Sequence, residues 1–157
     1  MSRKWYFAYG SNLSKERLRR RIGEWMEEHN ATLKGFRLTF AKSYSGHTSG
    51  KADIKPDPSG EVKGVIYSVT ESQLSKLDKY EGVGIGVYRR KRVNVESEGK
   101  LVSATTYVMV REICPLKPSN EYLEHILKGL EEHGYSKEVM EEVRKIADSL
   151  PNKEHEL

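Results

Sequence analysis

Two short stretches carry residues whose types and spacing suit chemistry. The first is Tyr9-Gly10-Ser11-Asn12-Leu13, where the apolar run Tyr6–Ala8 stops on small and polar residues just ahead of the charged segment Ser14–Ile22. A strand that turns at once into a helix leaves several backbone N–H groups pointing one way, which suits an anion. Gly10 lets the chain bend, and Ser11 or Asn12 is a candidate cap for the helix, so a plain tight turn explains the same residues. The second stretch holds Glu81, in Leu77-Asp78-Lys79-Tyr80-Glu81-Gly82-Val83. A carboxylate in the last turn of a helix faces the negative end of the macrodipole, where a cation is preferred. Either Glu81 is a solvated surface residue, or it points inward between Tyr80, Val83 and Tyr88. Inward placement would raise its pKa and make it a better general base near neutral pH. Spacing alone leaves both readings open.

Other chemistries find few residues to perform them. His29, His47, His125, His133 and His155 form no HExxH motif or close pair, and Cys114 is the only cysteine. No metal site is therefore expected, and His125 and His133 are expected on a solvated helix. There is no G-x-S-x-G elbow and no phosphate-binding loop. "GVGIGVY" lacks the glycine spacing and following helix of a dinucleotide fingerprint, so no cofactor is expected. A lone cysteine rules out an internal disulfide framework and fits a reducing, cytoplasmic setting. No segment approaches the ~20 apolar residues that span a bilayer, and no membrane partner is expected. The net charge of +4, with 32% charged residues of both signs interleaved, describes a solvated surface biased mildly toward anionic partners. Arg17, Arg20 and Arg21 share one helical face and "YRRKRV" is basic, as in a polyanion- or RNA-binding module. The acidic "GEWMEEHN" follows at once, and nucleic acid is not the expected partner.

The elements that must position these residues are legible in outline. Strands are expected at Trp5–Ala8, Leu33–Phe40, Val62–Val69, Val87–Glu96 and Leu101–Arg111, the last two joined by a hairpin at Glu98-Gly99. "SYSGHTSGKADIKPDPSGE" reads as a mobile loop followed by a hairpin turn at its Pro-Asp-Pro-Ser-Gly cluster. Thr70 with Gln73 three residues on forms a capping box opening a helix that ends at Gly82, with Leu74, Leu77 and Tyr80 on its apolar face. Two further helices start at Ser119 and Ser136 and close on Gly134 and Pro151, each with an apolar stripe: Leu123, Ile126, Leu127 and Leu130, then Val139, Val143 and Ile146. The 157 residues suit one domain, 1–157, of α+β class: a small mixed, mostly antiparallel β-barrel flanked by helices. Trp25 and Met26 suit an interface as well as a core, which leaves a homodimer open.

Taken together, "YFAYGSNL", then "LDKYEGV" followed by "GVYRRKRV", resemble the γ-glutamylcyclotransferase family of AIG2-like or butirosin-cyclotransferase-like fold. The likeness continues through "TTYVM" and the paired C-terminal helices. It implies an enzyme that cyclises a γ-glutamyl amide to 5-oxoproline and releases the attached amino acid or amine. The substrate would supply its own nucleophile, which accounts for the missing catalytic Cys, Ser triad or metal. By the same resemblance Tyr9, Gly10, Ser11, Asn12 and Leu13 form the substrate-holding loop, Glu81 is the catalytic acid/base, and Tyr88 and Tyr107 line the pocket. In "HTSGKADI", Gly50 and Ala52 fit the family pattern before Ile54, whereas Lys51 and Asp53 depart from it. The expected partner is a small γ-glutamyl compound, with another γ-glutamyl amine as the alternative.

Overall fold

Five strands close on themselves in the computed structural model, which describes residues 2–44 and 48–152. They are β1 (Arg3–Ala8), β2 (Glu28–Ser43), β3 (Lys51–Thr70), β4 (Tyr88–Ser97) and β5 (Lys100–Met109). The order is β3-β1-β5-β4-β2, and the antiparallel pairing of β2 with β3 shuts the ring. Among the described residues only β1 and β5 run parallel, meeting at Tyr6 and Thr105, so the barrel is mixed and mostly antiparallel as expected. A short sixth strand, β6 (Glu112–Pro115), extends the sheet beside the end of β2. The expected Leu101–Arg111 strand ends instead at Met109, and β6 begins only after Val110 and Arg111. Closure removes the exposed edges that an open sheet would carry.

Four helices cover this barrel: α1 (Lys15–Ile22), α2 (Glu71–Tyr80), α3 (Asn120–Glu132) and α4 (Lys137–Asp148). The capping box at Thr70 and Gln73 is present, and Gln73 Nε2 also donates to the carbonyls of Ile22 and Glu24, tying the start of α2 to the end of α1. Leu74 and Leu77 anchor α2 with almost no exposure, each burial being worth roughly 1.5–3 kcal/mol. Gly82 follows the helix with φ at +66°, a left-handed conformation that favours glycine and turns the chain sharply after Glu81. α3 lies directly on the Ser11–Leu13 turn because Gly129 has no side chain: a Cβ there would sit 2.4 Å from the Leu13 carbonyl carbon.

Three expectations need correction. Residues 51–61 are not a loop and hairpin turn but the first half of the long strand β3. The Pro-Asp-Pro-Ser-Gly cluster bulges within it, since Phe36 pairs with Pro56 and Lys34 with Glu61, which leaves residues 57–60 opposite Gly35 alone. The turn chemistry is real, because Asp57 Oδ1 accepts from the N–H and hydroxyl of Ser59, but pairing with β2 on both sides keeps the strand continuous. The cap of α1 is Ser14, whose hydroxyl accepts from Arg17 N, and not Ser11 or Asn12. His133 is not solvated: its side chain is 2% exposed, set between Glu28 Oε2 and the Tyr67 hydroxyl. His47 and His155 lie outside the described residues, as does part of the Ser43–Asp53 segment. Trp25 packs edge-on against Tyr67, while Met26 is exposed. Among the described residues no helix is long and apolar enough to cross a membrane.

Candidate active site

The turn after β1 and the end of α2 line one cavity of about 460 Å³. Ser11–Leu13 makes one turn of 3-10 helix closed by Leu13 N–H to Gly10 O and Ser14 N–H to Ser11 O. The N–H groups of Ser11 and Asn12 stay outside those two bonds. A Cβ on Gly10 would crowd that of Ala52 at 3.1 Å, so the turn passes close against β3. The Asn12 amide spans the gap between the turn and the end of α2, and Nδ2 donates to Glu81 Oε1 at 3.1 Å and to the Tyr6 hydroxyl at 3.0 Å. Sixty-nine positions of sequence separate the two partners of the first bond.

Glu81 is therefore turned inward. Its backbone N–H still donates to Leu77 O as the last bond of α2, and the left-handed Gly82 carries the chain away behind it. Tyr80 points outward, 56% exposed, beneath the Arg21 guanidinium. Burial raises the Glu81 pKa, and that outweighs the opposing influence of Arg21, the Asn12 amide and Arg17. No cation forms an ion pair with Glu81 among the described residues; Asn12, a neutral donor, is its hydrogen-bond partner. A carboxylate so placed keeps more affinity for a proton than one held by an arginine.

Tyrosines form the walls. Tyr9 donates to Tyr107 O at 2.6 Å, Tyr88 to Ala52 O at 2.6 Å, and Tyr107 to Asp78 Oδ1 at 2.6 Å. Burial pushes all three hydroxyls well above their ordinary range, so they stay protonated and brace the wall. Tyr122 of α3 accepts from Ala52 N–H, its pKa pushed up to about 12 by burial. Ala52 is thus gripped at both its N–H and its C=O.

Of the residues expected at the site, Tyr9, Gly10, Ser11, Asn12, Glu81, Tyr88 and Tyr107 line the one cavity. Leu13 does not: it is fully buried beneath Gly129 and fixes the turn from behind. The residues missed are Tyr6, Arg17, Arg21, Lys51 and Tyr122. Arg17 Nε donates to Ser11 Oγ at 3.0 Å and Arg21 donates to Asn12 Oδ1 at 3.3 Å. Their i,i+4 spacing, directly after the turn, was a usable signal for a shared face toward the loop. Arg20, taken with them as a basic surface, instead pairs outward with Glu16. Arg90 of "YRRKRV" is likewise engaged with Asp78 and Glu71.

The family model for gamma-glutamyl cyclotransferase, AIG2-like, matches residues 6–129, most of the chain and every residue just named. The chain belongs to that family. It is 38% identical over 148 residues to the gamma-glutamylcyclotransferase of Homo sapiens, covering 90% of this chain and 77% of that protein. The Mus musculus enzyme is 36% identical over the same shares. A solved gamma-glutamyl cyclotransferase superposes with a TM-score of 0.86 at 31% identity, over 98% of this chain and 90% of the other. The protein is thus an AIG2-like member of an enzyme family whose barrel and helices it shares.

Proposed function

We propose that residues 1–157 act as a single catalytic domain that converts a γ-glutamyl amide into 5-oxoproline and a free amino acid or amine, with Glu81 as general acid/base. The observation that carries this reading is the inward-turned, half-buried Glu81 carboxylate, facing the cavity and held by the Asn12 amide at 3.1 Å instead of by a cation.

The substrate α-amine, with a reference pKa of about 8, is mostly protonated at neutral pH. Glu81 removes one proton, and the freed lone pair attacks the γ-carbonyl carbon to close a five-membered ring. The tetrahedral intermediate places negative charge on the former carbonyl oxygen. The N–H groups of Ser11 and Asn12, with the field of Arg21, are suited to that oxygen or to the substrate α-carboxylate. Collapse breaks the amide C–N bond while Glu81 returns its proton to the departing nitrogen, and the second proton of the ring nitrogen passes by way of the same carboxylate to the released amine, which leaves as an ammonium. Holding the folded conformer can supply an effective molarity on the order of 10⁵ to 10⁸ M, and the acid/base a further ~10² to 10⁴ in rate. The raised Glu81 pKa suits both roles, since it brings the carboxyl nearer the nitrogens it serves. The single, buried Cys114 accords with a reducing, cytoplasmic setting.

The test incubates purified wild type and Glu81→Gln with γ-glutamyl amino acids, γ-glutamyl amines and glutathione, and quantifies 5-oxoproline by mass spectrometry. Product from wild type that disappears in the variant is expected. Near-wild-type turnover by Glu81→Gln would remove Glu81 from the mechanism, and no product from any compound would remove the reaction.

A further inference from the structure

A buried histidine that the proposed reaction does not use touches the catalytic turn. His133 closes α3 with its N–H on Gly129 O, and its side chain is buried with Nδ1 3.2 Å from Glu28 Oε2 of β2. Nε2 lies 2.8 Å from the Tyr67 hydroxyl of β3 and 3.1 Å from the carbonyl oxygen of Leu13. That hydroxyl is itself 3.4 Å from Leu13 O and 3.5 Å from Asn12 O. One imidazole and one phenol thus meet the peptide groups on both sides of Leu13, next to the residue whose side chain holds Glu81.

The partners fix which protons this ring carries. Burial alone would raise the Glu28 pKa, but the Trp25 indole, Lys15 and His133 hold it below the ordinary value, so Glu28 is a carboxylate that only accepts. Nδ1 therefore carries a proton. Leu13 O also only accepts. With the ring doubly protonated, Nε2–H donates to Leu13 O, and the Tyr67 hydroxyl is free to turn its proton to Leu13 O or Asn12 O. With the ring neutral, Nε2 is a bare acceptor: it takes the Tyr67 proton and stands against Leu13 O as a second acceptor. Both carbonyls of the turn then lose these donors. The charged groups facing the ring are Glu28 on β2, Lys15 on α1 and Glu132 on α3, while burial keeps Tyr67 on β3 protonated. Burial lowers the His133 pKa from its ordinary 6.5 against the pull of Glu28, which puts the exchange in mildly acidic solution.

We propose that His133 is a positioning residue for the catalytic turn: as an imidazolium it ties down the Leu13 carbonyl and releases the Tyr67 hydroxyl to the turn, and loss of its Nε2 proton withdraws both bonds. The turn carries Asn12, so the protonated arrangement holds the Glu81 carboxylate in firmer register. This role rests on the cyclising activity proposed above.

Two measurements on the full chain test it. Ring-nitrogen NMR of histidine-labelled protein, followed from about pH 5 to about pH 8, should show His133 with Nδ1 protonated throughout and Nε2 titrating. A neutral ring with its proton on Nε2, or no titration over that range, overturns the exchange. Formation of 5-oxoproline from γ-glutamylalanine is then compared in wild type and His133→Gln over the same range. The glutamine amide keeps an N–H for Leu13 O at every pH, and the ionisations of Glu81 and substrate cancel in the ratio. The kcat of wild type relative to the variant should fall by about three- to tenfold from acid to neutral pH, the scale of one hydrogen bond, with its midpoint at the NMR titration. His133→Phe, which keeps a ring and no donor, should lose the same factor at acid pH, in kcat and not in KM. A wild type to His133→Gln ratio that stays constant, whatever the absolute rates, overturns the positioning role while leaving the activity standing. Absence of 5-oxoproline with wild type overturns the activity itself, and this role with it.

Discussion

Asp78 and Glu81 stand three residues apart at the end of α2, and the same fold gives them opposite electrostatics. Asp78 is clamped by Arg90, with Nε on Oδ1 at 2.9 Å and Nη2 on Oδ2 at 2.8 Å, and it also accepts the Tyr107 hydroxyl. Burial by itself would raise its pKa, but Arg90 and Tyr107 outweigh that and hold it below the ordinary value. Glu81 is more strongly desolvated and has no such clamp, so its pKa moves the other way. A bidentate arginine makes a carboxylate a structural anchor and a poor base. A neutral amide orients a carboxylate while leaving it able to take a proton. The two residues divide the work: Asp78 holds the Tyr107 wall in place, and Glu81 faces the cavity.

The sharpest way to break this contrast is to remove each acid in turn. Glu81→Gln should lose on the order of 10² to 10⁴ in kcat with the fold intact, as read by 5-oxoproline formation beside circular dichroism. Asn12→Ala should come next, losing roughly 10- to 100-fold in kcat/KM for want of one oriented hydrogen bond to a charged group. The Asn12 bond lowers the Glu81 pKa, so its loss should also move the acid limb of the pH–rate profile to higher pH. Asp78→Ala should reverse the emphasis, costing about 2 kcal/mol of stability in urea unfolding through the lost Arg90 and Tyr107 bonds.

The smallest effect is the most diagnostic, because its sign differs between the two positions. The folded-state pKa of Asp78 lies below its ordinary 3.8, so its stabilisation is present above that pH and is lost as pH falls through the depressed value. The folded-state pKa of Glu81 lies above its ordinary 4.5, so its contribution is favourable below that pH and is lost as pH rises through the elevated value. The difference in Tm between wild type and Asp78→Asn should therefore shrink on acidification. Glu81→Gln should match or exceed wild type at neutral pH, with that advantage vanishing on acidification. Parallel profiles for the two variants would contradict the contrast.

Much of this molecule was legible because it is local. The Thr70–Gln73 capping box, the left-handed Gly82 and the apolar stripes of α3 and α4 are each written within a few residues, and each formed where the sequence put it. The order of "YFAYGSNL" and "LDKYEGV" along one chain was enough to suggest the family. The sequence could not choose between an exposed and an inward Glu81, because its partner Asn12 lies on another element and only barrel closure brings them together. The same holds for Arg17 and Arg21, whose shared face was visible but not that it looks into a cavity. Lys51 and Tyr122 come together only because β3 runs on past the turn signals at 56–60, held by pairing with β2 along its length. His133 shows the limit in reverse: on a helix judged by periodicity it is surface, yet Glu28 and Tyr67, contributed by two different strands, bury it. Residue type and spacing set the elements; long-range pairing decided which side chains share a low-dielectric space, and therefore which of two carboxylates has its pKa raised and which lowered.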